Sequence, residues 1–120
     1  MKYMLLIYNN QSVYQDLPEP ERQAIFADVN AILTELKESG ELIGDMALAD
    51  QSLAKTVRVR DGVINTTDGP FAEAKEQFAG YLAIDCETPE RALEIAARWP
   101  DAKYFAMEVR PVMHDSGADL

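Results

Sequence analysis

Polar and charged residues concentrate in one stretch of the chain, Thr66–Asp85, which separates two strand-like runs. Binding and catalytic residues occur disproportionately on loops placed in this way. The stretch contains the motif Asp68-Gly69-Pro70-Phe71. The Asp68 carboxylate can cap the turn by accepting from the backbone at Pro70-Phe71, or it can act as a general base in a pocket. The turn cap is the simpler interpretation.

Two arginines precede the motif on one predicted strand. Arg58 and Arg60 share a strand face, and guanidinium groups match the geometry of carboxylates. The pair therefore predicts a clamp for a small acidic ligand. The alternative is a solvated face on which both arginines pair with Asp or Glu.

Three further side chains are candidates for ligand binding. Lys75 is expected either on a surface turn or in a salt bridge with Asp68. Tyr81 follows Gly80 and is expected either to line a pocket with its hydroxyl or to pack in the core. Asp45 is a second carboxylate candidate.

The sequence contains no set of metal ligands, because it has one histidine and one cysteine. His114 follows the last predicted strand, where side chains are usually exposed. Cys86 ends a predicted strand, where we expect it to pack without reacting. Motifs of phosphate loops and nucleophile elbows are also missing. We therefore expect neither a metal ion nor a cofactor.

The chain is acidic, with 11 Lys and Arg against 21 Asp and Glu and a net charge of −10. Such a surface repels nucleic-acid phosphates and anionic membranes, so neither is expected as a partner. No apolar run approaches the ~20 residues of a membrane span, and Met1–Tyr8 lacks the features of a signal peptide. A single cysteine allows no internal disulfide. These observations predict a cytoplasmic protein.

Hydrophobic periodicity predicts the elements that position these residues. A helix is expected from Pro18 to Ser39, with a second one that begins after the N-cap Thr88 and ends at Pro100. Asn9–Asp16 is expected to be a polar loop, and a short turn or helix is possible at Ala72–Gln77. The predicted strands are Lys2–Tyr8, Leu42–Leu48, Thr56–Arg60, Val63–Thr66, Phe78–Cys86 and Lys103–Val112.

This order predicts an α+β fold of the ferredoxin-like, split βαβ type with an inserted β-hairpin. The antiparallel sheet carries helices on one face. Residues 1–112 are expected to form a single domain, and residues 113–120 a loose C-terminal tail. Lys2–Tyr8 and Phe78–Cys86 are apolar on both faces, so the uncovered face needs a partner. If a second copy of the chain covers this face, the protein is a homodimer of the dimeric α+β barrel type. Alternatively, the hairpin or the tail covers this face.

Several blocks of the sequence together resemble the DGPF branch of the YCII-related family. They are Lys2–Tyr8, Thr56–Gly62, Asp68–Phe71, Lys75-Glu76 and Glu108–Pro111. The resemblance covers most of the chain and implies a dimeric ferredoxin-like fold. Proteins of this branch tend to be encoded beside extracytoplasmic-function sigma factors, which implies association with such a factor.

Some members of the wider family are proposed to use a His–Asp pair, and one branch eliminates chloride from a ring-cleavage product. The predicted helix Pro18–Ser39 contains no histidine, so this mechanism does not carry over to the present chain.

Two functions follow from the sequence. The first is a pocket for a small organic acid at the sheet or dimer face, with possible acid–base chemistry. A pocket lined by Asp68, Arg58 and Tyr81 would favour it. The second is a non-catalytic binding or regulatory module that acts with the sigma factor, and an exposed motif beside an apolar patch would favour it. Fold likeness alone decides neither.

Overall fold

A computed structural model describes residues 1–116 of the chain. The strands are β1 (Lys2–Asn9), β2 (Leu42–Ala47), β3 (Lys55–Arg60), β4 (Val63–Asp68), β5 (Gln77–Asp85) and β6 (Ala106–Pro111). The helices are α1 (Gln11–Gln15), α2 (Glu19–Ser39), α3 (Pro89–Arg98) and α4 (Pro100–Tyr104), and a single 3-10 turn covers Gln51–Leu53.

The fold is α+β, with a four-stranded antiparallel sheet in the order β2-β5-β1-β6. This order and the helices that connect the strands are consistent with the predicted ferredoxin-like fold. Strands β1 and β5 occupy the centre, where each pairs with two neighbours. A strand in this position is hydrogen-bonded along both edges, which is why the two most apolar strands lie there.

The two faces of the sheet differ in burial. Alternate residues of a strand point to opposite faces, and the helix-covered face of β1 buries Tyr3, Leu5 and Ile7. The other face carries no helix, and we call it the open face. The strand register places on it the partly buried Met4, Leu6, Tyr8 and Tyr81 and the exposed Met46 and Phe78.

The helices follow their predicted stripes with one exception. In α3, Ala92, Ile95 and Ala96 are buried, and Trp99 after the helix is buried with them. In α2 the buried residues lie in the second half of the helix, whereas Phe26 is 68% exposed. The first turns of α2 face α1 across a cavity instead of packing on the sheet.

Helix ends agree with the capping signals of the sequence. Helix α2 begins directly after Pro18 and ends at Gly40, which adopts the left-handed conformation with φ 79°. The Thr88 side chain accepts from the Arg91 backbone N–H at 3.1 Å, as expected for an N-cap. These local signals were sufficient to locate both long helices.

Two predicted segments were wrong. Asn9–Asp16 is not a loop throughout, because Asn10 caps α1 by accepting from the Ser12 backbone N–H at 3.0 Å. The strand predicted at Lys103–Val112 starts later, because Pro100 begins the new helix α4 after the extended residue Trp99. Proline lacks the N–H that the first helical turn does not need, so it can start a helix as well as end one.

At Ala72–Gln77, where a short turn or helix was predicted, the chain forms no helix and β5 starts at Gln77. Gln77 instead holds this segment as an irregular loop, since its side-chain amide donates to the carbonyl oxygens of Ala72 at 3.1 Å and Ala74 at 3.0 Å. The Asn10 side chain donates to the Lys75 carbonyl oxygen at 3.0 Å. This bond ties the loop to the start of α1.

Strands β3 and β4 form a separate two-stranded sheet. Asp61 and Gly62 connect them with φ 52° and 77°, the two left-handed residues that a type I′ turn requires. Thr56 is partly buried, and the other residues of both strands are exposed. The hairpin contributes to a thin outline of 48 × 41 × 19 Å.

The segment after β6 is described as far as residue 116. Lys2 Nζ lies 3.0 Å from an Asp115 carboxylate oxygen, and the Val112 N–H donates to the Lys2 carbonyl oxygen at 2.9 Å. The last four residues of the predicted loose tail lie outside the described residues. Across residues 1–116, each helix is too short or too polar to cross a membrane.

We expect Gly80→Ala to lower the free energy of unfolding by roughly 2–4 kcal/mol, because strain and overpacking add. Gly80 has φ 153°, and an added Cβ would overlap the carbonyl oxygen of Met46 on strand β2. Gly62→Ala is the control, since φ there is 77° but the space is open; it should cost about 1 kcal/mol. Equal losses in urea unfolding would show that the contact with β2 is unimportant.

Candidate functional site

Among residues 1–116, Asp101 is the charged residue that the fold buries, with 8% of its surface exposed. It lies in the first turn of α4, directly after the break that separates α4 from α3. A buried carboxylate is costly unless hydrogen-bond donors surround it. The side chains around Asp101 therefore include the donors that its carboxylate requires.

Two side chains donate to the Asp101 carboxylate. The indole Nε1 of Trp99 donates to Oδ2 at 3.0 Å. The hydroxyl of Tyr14, on α1, donates to Oδ1. In the described part of the chain, no buried side-chain nitrogen or oxygen lacks a hydrogen-bond partner. Asp101 thus joins the α3–α4 junction to α1 through one donor from each side.

Tyr14 sits in an aromatic environment. Its ring makes edge contacts with Tyr104 and Phe105 at centroid distances of 5.8 and 5.3 Å. Burial raises the pKa of Tyr14, and the hydrogen bond to Asp101 raises that pKa further. The phenol therefore stays neutral near pH 7. A neutral phenol bonded to a carboxylate can accept a proton from a ligand while it passes its own proton to the carboxylate.

A cavity of about 530 Å³ opens between α1 and the first turns of α2. Tyr14 and Asp101 form part of its wall, and Arg22 supplies the cation of its lining. Arg22 Nη1 lies 3.5 Å from the carbonyl oxygen of Gln15, at the end of α1. The other lining residues are Asn9, Gln11, Gln15, Glu19, Gln23, Ile25 and Phe26. We call this space the α1–α2 cavity.

The residues of the α1–α2 cavity were missed in the sequence. Tyr14 fell in a segment predicted to be a loop, and Asp101 fell between a predicted helix and a predicted strand. One signal was available: Asp101 follows Trp99 and Pro100 at the end of an apolar helical stripe. An acidic residue at such a position sits beside a buried indole N–H, which needs an acceptor.

The predicted site residue Asp68 lies at the end of β4, and its side chain is 86% exposed. Its carboxylate pairs with Lys55 and not with Lys75, whereas Lys75 is exposed in the loop before β5, in line with the first of its two interpretations. The reason is the hairpin register, which places Lys55 directly opposite Asp68. The turn after Asp68 is held by the backbone instead, since the Gly69 N–H donates to the Ala54 carbonyl oxygen at 2.8 Å. A catalytic role for Asp68 stays a prediction.

The other predicted ligand-binding residues do not converge with Asp68. The Arg58 guanidinium lies over the Phe71 ring, 5.2 Å from its centroid, and Arg60 Nη1 donates to the Val59 carbonyl oxygen at 2.9 Å. The strand register places Tyr81 on the open face opposite Leu6 and Met46, whereas Asp45 is exposed on the edge strand β2. These side chains are spread over two sheets.

A second space of about 700 Å³ lies beside the motif. Its apolar lining includes Tyr8, Leu48, Leu53, Phe71 and Phe78, and we call it the hairpin groove. Asp50 and Glu76 also line it. Asp50 caps the 3-10 turn, and its hydrogen bonds with Ser52 lower the pKa of that carboxyl.

Neither space is arranged for a metal ion. Within residues 1–116, no three side chains of His, Cys, Asp or Glu come together as a ligand set. Burial raises the pKa of the Cys86 thiol, which opposes thiolate chemistry at that position.

Comparison with known proteins gives a family match and one similar protein, each covering most of the chain. The YCII-related domain matches residues 1–115. An uncharacterised protein of Rhizobium meliloti (strain 1021) is 34% identical over 114 residues, which cover 93% of this chain and 92% of that protein. The family match spans both Tyr14 and Asp101. The finer assignment to the DGPF branch stays a prediction.

We expect Tyr14 to remain protonated when ordinary tyrosines ionise. Its native pKa lies above the ordinary value of 10.0, so the unfolded chain releases a proton that the native protein keeps. The resulting stabilisation is present below pH ~10 and is lost as pH rises toward the native pKa. In an ultraviolet titration, the native protein should therefore show fewer tyrosines ionising near pH 10 than the unfolded chain.

Tyr14→Phe should reduce this difference between native and unfolded titrations. Tyr8→Phe should also reduce the difference, because burial and the hydrogen bond with Glu108 raise the pKa of Tyr8 as well. Simultaneous ionisation of all five tyrosines in the native protein would contradict the geometry of the Tyr14–Asp101 pair.

Proposed function

We propose that this chain, which belongs to the YCII-related family, is a homodimer that binds a small organic acid in the α1–α2 cavity and exchanges a proton with it through Tyr14 and Asp101. The observation that carries the proposal is the buried Asp101 carboxylate. It accepts a hydrogen bond from the Tyr14 hydroxyl in the wall of a cavity. Buried titratable groups beside a cavity are common features of functional sites.

Arg22 offers a contact for an acidic ligand of modest size, in a lining that also holds the carboxylates of Glu19 and Asp101. The cavity volume of about 530 Å³ lies in the range of small-molecule sites. The Arg22 guanidinium can bind a carboxylate by charge-assisted hydrogen bonds. Ile25 and Phe26 provide apolar contacts, and the side-chain amides of Gln11 and Gln23 can bind hydroxyl or carbonyl groups. This lining suits an organic acid that also carries a hydroxyl or carbonyl group.

The proton step follows from the state of the phenol. Because its pKa is raised, Tyr14 does not act as a free phenolate near pH 7. A C–H proton next to a ligand carbonyl group can pass to the Tyr14 oxygen as the Tyr14 proton moves to Asp101. The ligand then carries the negative charge, and Asp101 carries the proton until the reverse step returns it. The proposal therefore assigns proton abstraction to the pair and ligand orientation to Arg22.

A thermal-shift screen of small hydroxy and keto acids, followed by calorimetry, tests this function. Arg22→Gln should weaken binding of an identified acid by at least about tenfold, since hydrogen bonds to charged groups contribute roughly 1.5–3 kcal/mol. Lys37→Gln is the matched control, because it removes one positive charge from the last turn of the same helix. Equal effects of the two substitutions would indicate a general charge effect instead of a site.

Tyr14→Phe separates binding from proton transfer. It should leave ligand affinity within about tenfold but abolish exchange of this ligand proton for deuterium in heavy water, followed by NMR. Tyr104→Phe removes a hydroxyl from the neighbouring ring and should preserve the exchange. Binding without this proton exchange in the unaltered protein would contradict the proton step and favour the alternative function, a regulatory module acting with a sigma factor.

The dimer is proposed to form through the open face. This face has partly buried Met4, Leu6 and Tyr81 in the centre of the sheet without a covering layer, and apolar faces of this kind are normally covered. A two-fold axis lets the same face of a second copy cover it. The face is bordered by Glu108, which pairs with Leu6 in register.

Light scattering at micromolar concentration should give twice the 13.4 kDa mass of one chain. Leu6→Glu should produce the monomer, because it places a charge in the centre of the buried face. Leu93→Glu is the control, since Leu93 is 56% exposed on α3. A monomer before any substitution would refute the dimer.

A further inference from the structure

The hairpin β3–β4 lacks the support that a sheet of its size needs. Its strands pair with each other and form a sheet separate from the four-stranded one. A lone two-stranded hairpin is marginally stable in water. An additional surface must therefore stabilise this hairpin if it keeps the observed conformation.

One face of the hairpin is aliphatic. The register pairs Val59 with Ile64 and places Val57 on the same side. These three side chains are 55%, 73% and 62% exposed, respectively. The opposite side carries Arg58, Arg60 and the exposed Val63, and the base of the aliphatic side carries the Lys55–Asp68 pair. The hairpin thus has the alternation of a half-buried sheet, but its apolar side is uncovered in the single chain.

The charge of the hairpin is opposite to that of the remaining chain. Residues 55–68 contain Lys55, Arg58 and Arg60 against Asp61 and Asp68, which gives 3 − 2 = +1. Since the whole chain has a net charge of −10, the remainder has −10 − 1 = −11. Complementary charge favours association of the hairpin with an acidic surface. A second copy of the same chain offers that surface.

The hairpin groove has the matching character. It is lined by apolar residues, including Leu53 and Phe71, and by the carboxylates of Asp50 and Glu76. It is also continuous with the open face, because Phe78 contributes to both. A partner that covers the open face therefore lies next to the groove.

We propose that each hairpin of the homodimer is an arm whose aliphatic face packs in the hairpin groove of the other copy. Two antiparallel arms related by a two-fold axis place each tip at the base of the other arm, so the contact is made twice and closes the assembly. Each groove is then completed by the other copy. This inference rests on the proposed dimer but names a separate contact, which can be tested apart from it.

Disulfide trapping tests the contact directly. Ile64→Cys and Leu53→Cys are introduced together, in a Cys86→Ala background that removes the single native cysteine. Within one chain the two positions are about six residues apart along the hairpin, roughly 20 Å, and a disulfide needs Cα atoms within about 7 Å. Oxidation should therefore give a covalent dimer, and each single-cysteine variant should stay monomeric on a non-reducing gel.

Dilution light scattering supplies the energetic test. Ile64→Glu should raise the dimer dissociation constant roughly tenfold or more, while Leu93→Glu should leave it unchanged.

The outcomes separate the two claims. A covalent dimer together with weakening by Ile64→Glu supports the arm. A dimer that shows neither effect overturns the arm and keeps the open-face dimer. A covalent dimer of the Ile64→Cys chain alone overturns the antiparallel arrangement, because the two tips would then meet. A protein that is monomeric throughout overturns both the arm and the dimer, whereas ligand binding in the α1–α2 cavity is measured independently.

Discussion

Burial of the Asp101 carboxylate is the constraint on which the candidate site depends. A carboxylate taken out of water needs donors in fixed positions, and Trp99 and Tyr14 supply them from two different elements. Trp99 belongs to the core, so it fixes Asp101 relative to the sheet. Asp101 in turn holds Tyr14, and with it the short helix α1. The position of α1 opposite the first turns of α2 then creates the cavity.

The ion pairs elsewhere on the molecule contribute less to stability than the hydrogen bonds of Asp101. Arg91 bridges Glu41 at 2.9 Å and Glu94 at 3.0 Å, and Arg98 contacts Glu35 at 2.7 Å. The hydrogen bond from Arg91 lowers the pKa of the Glu41 carboxyl. Pairs near the surface contribute little to stability, because water screens them and the side chains lose freedom. The Arg98–Glu35 pair links α3 to α2, whereas the bonds of Asp101 act where water has less access.

The sequence contained enough local information for the main elements but too little for the site. The Pro18 and Gly40 signals located α2, and the Thr88 N-cap located α3, because caps depend on residues a few positions apart. The Asp61-Gly62 turn likewise predicted the hairpin pairing that is observed. Tyr14 and Asp101 are 87 positions apart in the chain, and only the packing of α1 against the α3–α4 junction brings them together. The prominent motif at Asp68 drew attention to an exposed loop, since sequence does not reveal burial at a turn.

A double-mutant cycle between Tyr14→Phe and Asp101→Ala tests the central claim most directly. Urea unfolding of the unaltered protein, both single variants and the double variant gives the coupling free energy of the two side chains. If the Tyr14 hydroxyl bonds to a buried Asp101 carboxylate, the account predicts a coupling of about 1–3 kcal/mol. Additivity within about 0.5 kcal/mol would contradict it, because the two groups would then not interact and Asp101 would not hold the wall of the cavity.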